Sequence, residues 1–416
     1  MVNMTTNKKV KPELLAPAGD FEKFLFALAY GADAVYLGGE DFGLRCKSTN
    51  FSLEEIEEAV RLGNNHGVKV YVTVNVFAHQ DDIEALPSYL KALEAIKPHA
   101  LIVSDLGVLS LAREYAPSIP LHISTQANST NSAAINQWQK LGATRVVLAR
   151  ELALGEIEQI KQKTDCELEM FVHGAMCMSY SGRCLLSNYL TGRDSNRGAC
   201  THPCRWQYAL VEASRPNEYL PIEEDSRGSY IMNSKDLNLL RYLPKLMDLG
   251  ITSLKVEGRV KSSYYVAVVT KVYREAIDTV FKERHKFKER LPVWEAELRT
   301  VSHRQYTTGF LSGKPQAEDH RYESSGYVRN YDFIAVVRGY DHTAGCLILE
   351  QRNNFKVGEE VEFLTPSQGQ PPIPGELTSM YDAEHKPLSV APHAQMQVYV
   401  PFDRPLPAYT IMRRKI

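Results

Sequence analysis

No run in the 416-residue sequence approaches the roughly 18 apolar residues of a membrane-spanning helix. The opening stretch, MVNMTTNKKVKPELLAPAG, lacks the apolar centre of a secretory signal, so a cytoplasmic location is expected. A strong charge of either sign is missing as well. The formal net charge of −2 removes the case for a chain that coats nucleic acid along its whole length. Absent too are H-E-x-x-H, G-x-S-x-G, and a G-x-G-x-x-G after the first strand. These absences argue against a zinc peptidase, a nucleophile-elbow hydrolase and a dinucleotide-binding doubly wound sheet. No internal repeat or low-complexity segment occurs. The length calls for two domains.

What is present is a concentration of cysteine. Cys177, Cys184, Cys200 and Cys204 fall within 28 residues, spaced C-x6-C-x15-C-x3-C, while Cys46, Cys166 and Cys346 are scattered. An odd total of seven in a cytoplasmic setting points to metal binding rather than disulfides. Converging thiolates are soft, charge-dense ligands for iron–sulfur or zinc. The spacing lacks the paired C-x2-C knuckles of structural zinc. A C-x3-C-x2-C radical-SAM motif fails because Gln207 stands where its third cysteine should be. A [4Fe-4S] cluster, structural zinc and plain reduced cysteines remain as alternatives. Arg183, Arg193, Arg197 and Arg205 accompany Asp194 alone between Cys177 and Gln207, and Tyr180, Tyr189 and Trp206 interleave with them. That mixture suits phosphate pairing and base stacking, and equally a packed loop that offsets thiolate charge. Ten basic residues against five acidic ones from Lys255 to Arg290 form a second basic stretch.

Around this cluster, β-branched runs alternate with segments of helical period. Eight strands are expected: Glu13–Ala18, Ala34–Gly39, Lys69–Val76, Ala100–Asp105, Leu121–Gln126, Arg145–Arg150, Glu167–His173 and Ser253–Gly258. Ser52 and Glu55 form a capping box for one intervening helix, and Gly67 suits its end. The pattern predicts an α/β fold, a (β/α)8 TIM-like barrel over residues 1–290, with an apolar interior and a Cys-rich insertion of about 175–229 after strand seven. Tyr230–Ser234 could be a further strand and is assigned to that insertion. A connector, 291–325, leads to a small C-terminal antiparallel β-barrel, 326–416.

Barrel chemistry belongs at the C-terminal ends of the strands, where Asn75, Asp105, Gln126, Arg150, Glu151, His173, Lys255, Glu257 and Arg259 fall. The cysteine segment leaves directly after His173, over the expected mouth. His173 could move protons near neutral pH. Glu257 is the other candidate catalytic group.

The run FVHGAMCMSYSGRCLLSNYLTGRDSNRGACTHPCRW resembles the signature of the peptidase U32 family. ELLAPAGD, ADAVYLGG, GLRCKSTNF and SLKVEGRVKS are similar to its other landmarks, and the likeness runs through the C-terminal β-domain. The resemblance implies an oxygen-independent type of hydroxylase with a cysteine-bound [4Fe-4S] cluster, ligated by Cys177, Cys184, Cys200 and Cys204. One family branch converts the tRNA wobble uridine to 5-hydroxyuridine with prephenate as co-substrate. Others act on a ribosomal RNA cytidine or on quinone precursors. A barrel of this length with one β-domain resembles the tRNA branch, which implies the anticodon loop as partner. Prephenate is a dicarboxylate and needs fixed cations, for which Arg45, Arg150, Lys255 and Arg259 are candidates, with Gln126 beside them. Arg183, Arg193, Arg197 and Arg205 are the candidates for RNA contact. No motif names an electron donor. A peptidase, as the family label suggests, and a zinc-bearing RNA-binding module are the competing expectations.

Overall fold

The computed structural model describes residues 10–43, 50–177, 179–181, 183–195, 199–206, 210–211, 219–220, 224–225, 228–229, 235–313 and 328–416. Seven parallel strands, β1 (Glu13–Pro17), β2 (Ala34–Gly38), β3 (Lys69–Val74), β4 (Ala100–Val103), β5 (Leu121–Ile123), β6 (Ala143–Val147) and β7 (Glu167–Ala175), pair in sequence order. Between them run α1 (Phe21–Ala29), α2 (Leu53–His66), α3 (Gln80–Ile96), α4 (Leu106–Tyr115), α5 (Ser132–Lys140) and α6 (Leu154–Lys161). After β7 come α7 (Leu186–Thr191) and two short ladders, β8 (Leu210–Val211) with β9 (Tyr219–Leu220) and β10 (Glu224–Asp225) with β11 (Gly228–Ser229). Then follow β12 (Asp236–Asn238), α8 (Leu243–Asp248), β13 (Ser253–Val256) and the long α9 (Ser263–Glu283). β13 pairs in parallel with both β7 and β1, which closes the eight-stranded barrel expected from the sequence.

Local chemistry accounts for the elements. In α2, the Ser52 hydroxyl accepts from Glu55 N at 3.2 Å and Glu55 Oε2 accepts from Ser52 N at 3.0 Å. Gly67, at φ 69°, ends the same helix in the left-handed region. Alternate strand residues face opposite ways. Leu14, Val35, Val72 and Leu101 join the core shared with the helices, while Leu15, Ala34, Tyr36, Tyr71, Ala100 and Ile102 form a separate interior cluster.

The interior is not uniformly apolar, contrary to the expectation from the sequence. Arg145 donates to Glu13 at 2.7 Å and to Glu169 at 3.3 Å, and the Lys255 ammonium donates to Glu169 at 2.9 Å. Tyr71 donates to Glu13 at 2.7 Å, and the Tyr71 and His122 rings meet edge-on at 4.8 Å. Charges converging across a closed barrel satisfy one another, so the strand ends tolerate them.

Two additions extend the sheet beyond β7. β12 lies antiparallel to β7, and β14 (Tyr306–Thr307) pairs with β12. Tyr230–Ser234 lies outside the described residues. The connector opens as helix α10 (Phe287–Leu298), which runs through Pro292.

The C-terminal unit contains β15 (Tyr331–Asp341), β16 (Cys346–Gln351), β17 (Phe355–Lys356), β18 (Glu360–Leu364), β19 (Ile373–Glu376), β20 (Met380–Tyr381), β21 (Pro387–Leu388), β22 (Val390–Ala391), β23 (Gln397–Pro401) and β24 (Ile411–Lys415). Eight of these form one antiparallel sheet, in the order β19-β18-β24-β15-β16-β23-β20-β21, curled about its own core. The unit docks on the outer barrel helices. The Tyr30 hydroxyl donates to Leu364 O at 2.8 Å, and the fully buried Arg413 binds Glu297 and the Tyr264 hydroxyl.

Candidate functional site

The strand C-termini open into a cavity of about 800 Å³. Its floor is made of interior residues from five strands: Tyr36, Thr73, Ile102, Phe171 and Lys255. The Lys255 ammonium sits 4.4 Å from the centre of the Tyr36 ring and 5.4 Å from that of Phe171. Such cation–π contacts favour a charged group in a partly apolar place.

Two walls of different chemistry rise from this floor. One is cationic: Arg150, Lys255, Arg259, Lys261 and Arg304 line the cavity, against the single carboxylate of Glu257 among the described lining residues. The other is neutral. Thr73, Asn75, Ser124 and Gln126 come from the ends of β3 and β5, and the Asn75 amide donates to Ser124 Oγ at 3.1 Å. Thr73 Oγ1, Asn75 Oδ1 and Gln126 Oε1 have no hydrogen-bond partner among the described residues. Buried polar atoms left this way cost stability and mark places where a ligand can contribute the missing bond.

Close backbone approaches fix the rim. Arg259 donates to Asn50 Oδ1 at 2.7 Å, and its guanidinium crosses Gly38, where an added Cβ would fall 2.5 Å from Nη2. Gly174 has φ +111°, and a Cβ there would fall 2.5 Å from the Glu257 carbonyl oxygen. A side chain at Gly174 would therefore push apart the ends of β7 and β13.

The cysteine segment leaves β7 at this point and covers the mouth. All four thiols, Cys177, Cys184, Cys200 and Cys204, line the cavity. Arg150 ties the segment down, donating to Ala175 O at 2.9 Å and Ser181 Oγ at 2.7 Å, with Cys177 Sγ at 3.7 Å. Burial works against the Arg150 charge, but Cys177, Glu257 and Glu151 outweigh it and raise its pKa. Further along, Thr201 N donates to Ser187 Oγ at 3.1 Å and anchors the strand of Cys200 to α7. His202 takes the left-handed conformation at φ 56°, its backbone N–H directed at Cys200 Sγ at 3.4 Å. In kind and place this donor set fits a soft metal centre. Among the described residues, though, no three His, Cys, Asp or Glu side chains are gathered closely enough to hold a metal ion.

The remaining residues singled out from the sequence divide clearly. Gln126, Arg150, Lys255, Glu257 and Arg259 are brought together in the cavity. His173 is not. A register shift where β13 meets β7 accompanies its placement among Tyr265, Tyr273 and Tyr306, with ring centres at 6.0, 5.4 and 5.3 Å. Burial there, with His303 and Lys261 adding, pushes its pKa down to about 3, so the ring is uncharged near neutral pH. Asp105 caps α4, accepting from Gly107 N at 2.7 Å, and is structural. Arg183 is exposed, 5.6 Å from the Phe77 ring centre, and Arg193 is exposed too. Arg45, Cys46, Arg197 and the side chain of Arg205 lie outside the described residues. The second basic stretch is largely paired on α9 and beyond it: Arg274 with Asp33 and Asp278, Lys271 with Glu275, and Arg284 with Asp248.

Sequence reasoning missed Lys261, Ser302 and Arg304. Ser302 and Arg304 follow α10, far from any strand end in sequence, and reach the mouth because β14 returns to β12. Only the cation-bearing turn VSHRQYTTG, stranded in a connector, hinted at it.

Comparison with known proteins places the chain in context. The pattern of peptidase family U32 matches residues 19–321, and that of the peptidase family U32 C-terminal domain matches residues 329–413. The chain is 41% identical over 408 residues to tRNA hydroxylation protein P1 of Bacillus subtilis, covering 97% of this chain and 95% of that one. It is 37% identical over 437 residues to tRNA hydroxylation protein P of Escherichia coli, covering 95% of each. It is also 39% identical over 272 residues to the Escherichia coli 23S rRNA 5-hydroxycytidine C2501 synthase, covering 65% of this chain and 40% of that one.

Proposed function

We propose that this chain, which belongs to peptidase family U32, is an RNA hydroxylase that acts on the wobble uridine of tRNA to form 5-hydroxyuridine, in a reaction dependent on prephenate and an iron–sulfur cluster. The observation that carries the reading is the meeting of three chemistries on one cavity: four thiols, a cationic wall and a neutral amide wall. The names of similar proteins, which act in hydroxylation of tRNA and ribosomal RNA, support the substrate class.

Each wall has a task in this scheme. An anticodon loop already offers an unstacked base, so little unpairing energy is needed to bring a pyrimidine to the mouth. Tyr180 and Trp206, exposed and lining the cavity, and the exposed Tyr189 suit base stacking, and Arg183 and Arg193 suit phosphate contact. Asn75, Gln126 and Thr73 offer the base edge hydrogen-bonding partners without charge. Arg150, Lys255 and Arg259 hold the carboxylates of the co-substrate. Glu257, accepting from the Tyr36 hydroxyl at 3.3 Å, is the acid–base group at the cavity, in place of His173. Cys177, Cys184, Cys200 and Cys204 would hold the cluster, which when bound supplies one-electron chemistry beside the base.

Protein prepared without air tests the metal: iron and sulfide are expected, whereas zinc alone supports the RNA-binding alternative. Cys200→Ala and Cys204→Ala are expected to lose the cluster absorbance and the hydroxylated nucleoside together. Persistence of the nucleoside in either variant separates the thiols from the reaction.

A further inference from the structure

The barrel interior holds the carboxylates of Glu13 and Glu169 and the guanidinium of Arg145 beneath the mouth, and the proposed reaction leaves these three without a task. We propose that Glu169 is a positioning residue, anchored by Arg145 and Glu13 in the barrel core, that holds the Lys255 ammonium as a fixed donor for a carboxylate of the small organic acid co-substrate. The inference rests on the co-substrate reading given above.

The geometry runs in one line. Glu169 is fully buried and splits its carboxylate between two cations, Oε1 to Lys255 Nζ at 2.9 Å and Oε2 to Arg145 Nη1 at 3.3 Å. Arg145 is held from below by Glu13 at 2.7 Å, and Tyr71 and Ser253 bind the same Glu13 carboxylate. Glu169 therefore cannot swing. An ammonium has three donors; one goes to Glu169, the Tyr36 and Phe171 rings lie beside the group, and Lys255 lines the cavity. Lys255 lines the cavity whereas Glu169 does not, so the carboxylate acts through the lysine. A buried pair of this kind is seldom retained for stability alone, since apolar replacement is often neutral or better. The charged and titratable groups around Lys255 are Glu169 on β7, Arg145 on β6, Glu13 on β1, Tyr36 on β2, Tyr71 on β3, His122 on β5, and Glu257 just beyond β13. None of them besides Glu169 is a carboxylate hydrogen-bonded to the ammonium among the described residues.

The test is prephenate binding by calorimetry on full-length protein from pH 6.5 to 9.5, for the wild type, Glu169→Gln, Glu169→Asp and Lys255→Met. The wild type is expected to bind with little change across this range. Glu169→Gln should bind about tenfold more weakly at pH 7 and lose affinity further as pH rises, because a buried ammonium without its counter-charge sheds its proton more readily. Glu169→Asp should restore part of the affinity and the flat profile, and Lys255→Met should bind weakly at every pH. A merely structural Glu169 would change melting temperature without the sloping profile. Wild-type affinity and profile in a folded Glu169→Gln protein overturn the proposal while leaving the co-substrate reading intact. A wild type that binds no prephenate overturns both.

Discussion

A histidine at a strand end beside a cysteine loop suggests proton transfer until its neighbours are known. His173 lies among three tyrosines, and burial holds it neutral down to about pH 3, against an ordinary value of 6.5. The unfolded chain takes up that proton below pH 6.5 and the folded chain does not. Stability therefore falls as pH drops from 6.5 toward 3, by up to about 1.4 kcal/mol per pH unit. Urea unfolding across this window should show the slope, and His173→Phe should reduce it, leaving the share of His99, His122 and His303, whose pKa values burial also lowers. Glu13 and Glu169 behave differently. Burial would raise their pKa values, but the adjacent cations, Arg145 for both and Lys255 for Glu169, prevail and lower them. Their contribution is intact above the usual carboxylate value of 4.5 and is lost as pH falls below it, so a second, lower-pH loss should persist in His173→Phe. Arg150→Lys probes a different role. A lysine lacks the two-pronged guanidinium that reaches Ala175 O through Nη1 and Ser181 Oγ through Nη2, so the variant should lose about 2 kcal/mol and, on the proposed reading, load less iron per chain in metal analysis.

Elements were the most legible level. All eight barrel strands and the α2 capping box stand where hydrophobic period and turn residues place them, and the C-terminal stretch is antiparallel sheet as expected. Strand alternation predicts an apolar interior, not one that holds Glu13, Arg145 and Glu169. It cannot reveal that they meet, because their contact exists only once β13 closes on β1. The displacement of His173 was hidden for a related reason: the register shift between β7 and β13 is a pairing property. Gly174 carries the consequence. Gly174→Ala adds a Cβ against backbone, at a φ that L residues avoid, and should cost about 1–3 kcal/mol by thermal melting. Gly38→Ala meets side chains rather than backbone, the Arg259 guanidinium and Thr73 Oγ1, and should cost less.

At the scale of the molecule, the cavity depends on three separated stretches: strand ends, the cysteine segment after β7, and the turn after α10. The first two were legible because each has a local pattern, alternation for one and thiol spacing for the other. The third was not, since Ser302 and Arg304 acquire meaning only through the pairing of β14 with β12. The C-terminal sheet stands apart from the mouth lining and braces α1, α9 and α10 from outside. Arg413 pairs with Glu362 inside the sheet and links it to Glu297 of α10, and Arg413→Met should cost about 3 kcal/mol by leaving those carboxylates unmatched, detectable as an earlier melting transition.

The central claim is that the thiol-lined mouth hydroxylates RNA. Nucleoside mass spectrometry of total tRNA tests it most directly, in cells lacking the gene and complemented with wild type or with Cys200→Ala. A 5-hydroxyuridine-type nucleoside restored by the wild type and absent with the variant is the expected result. Equal levels in the deleted strain and in both complemented strains would contradict it.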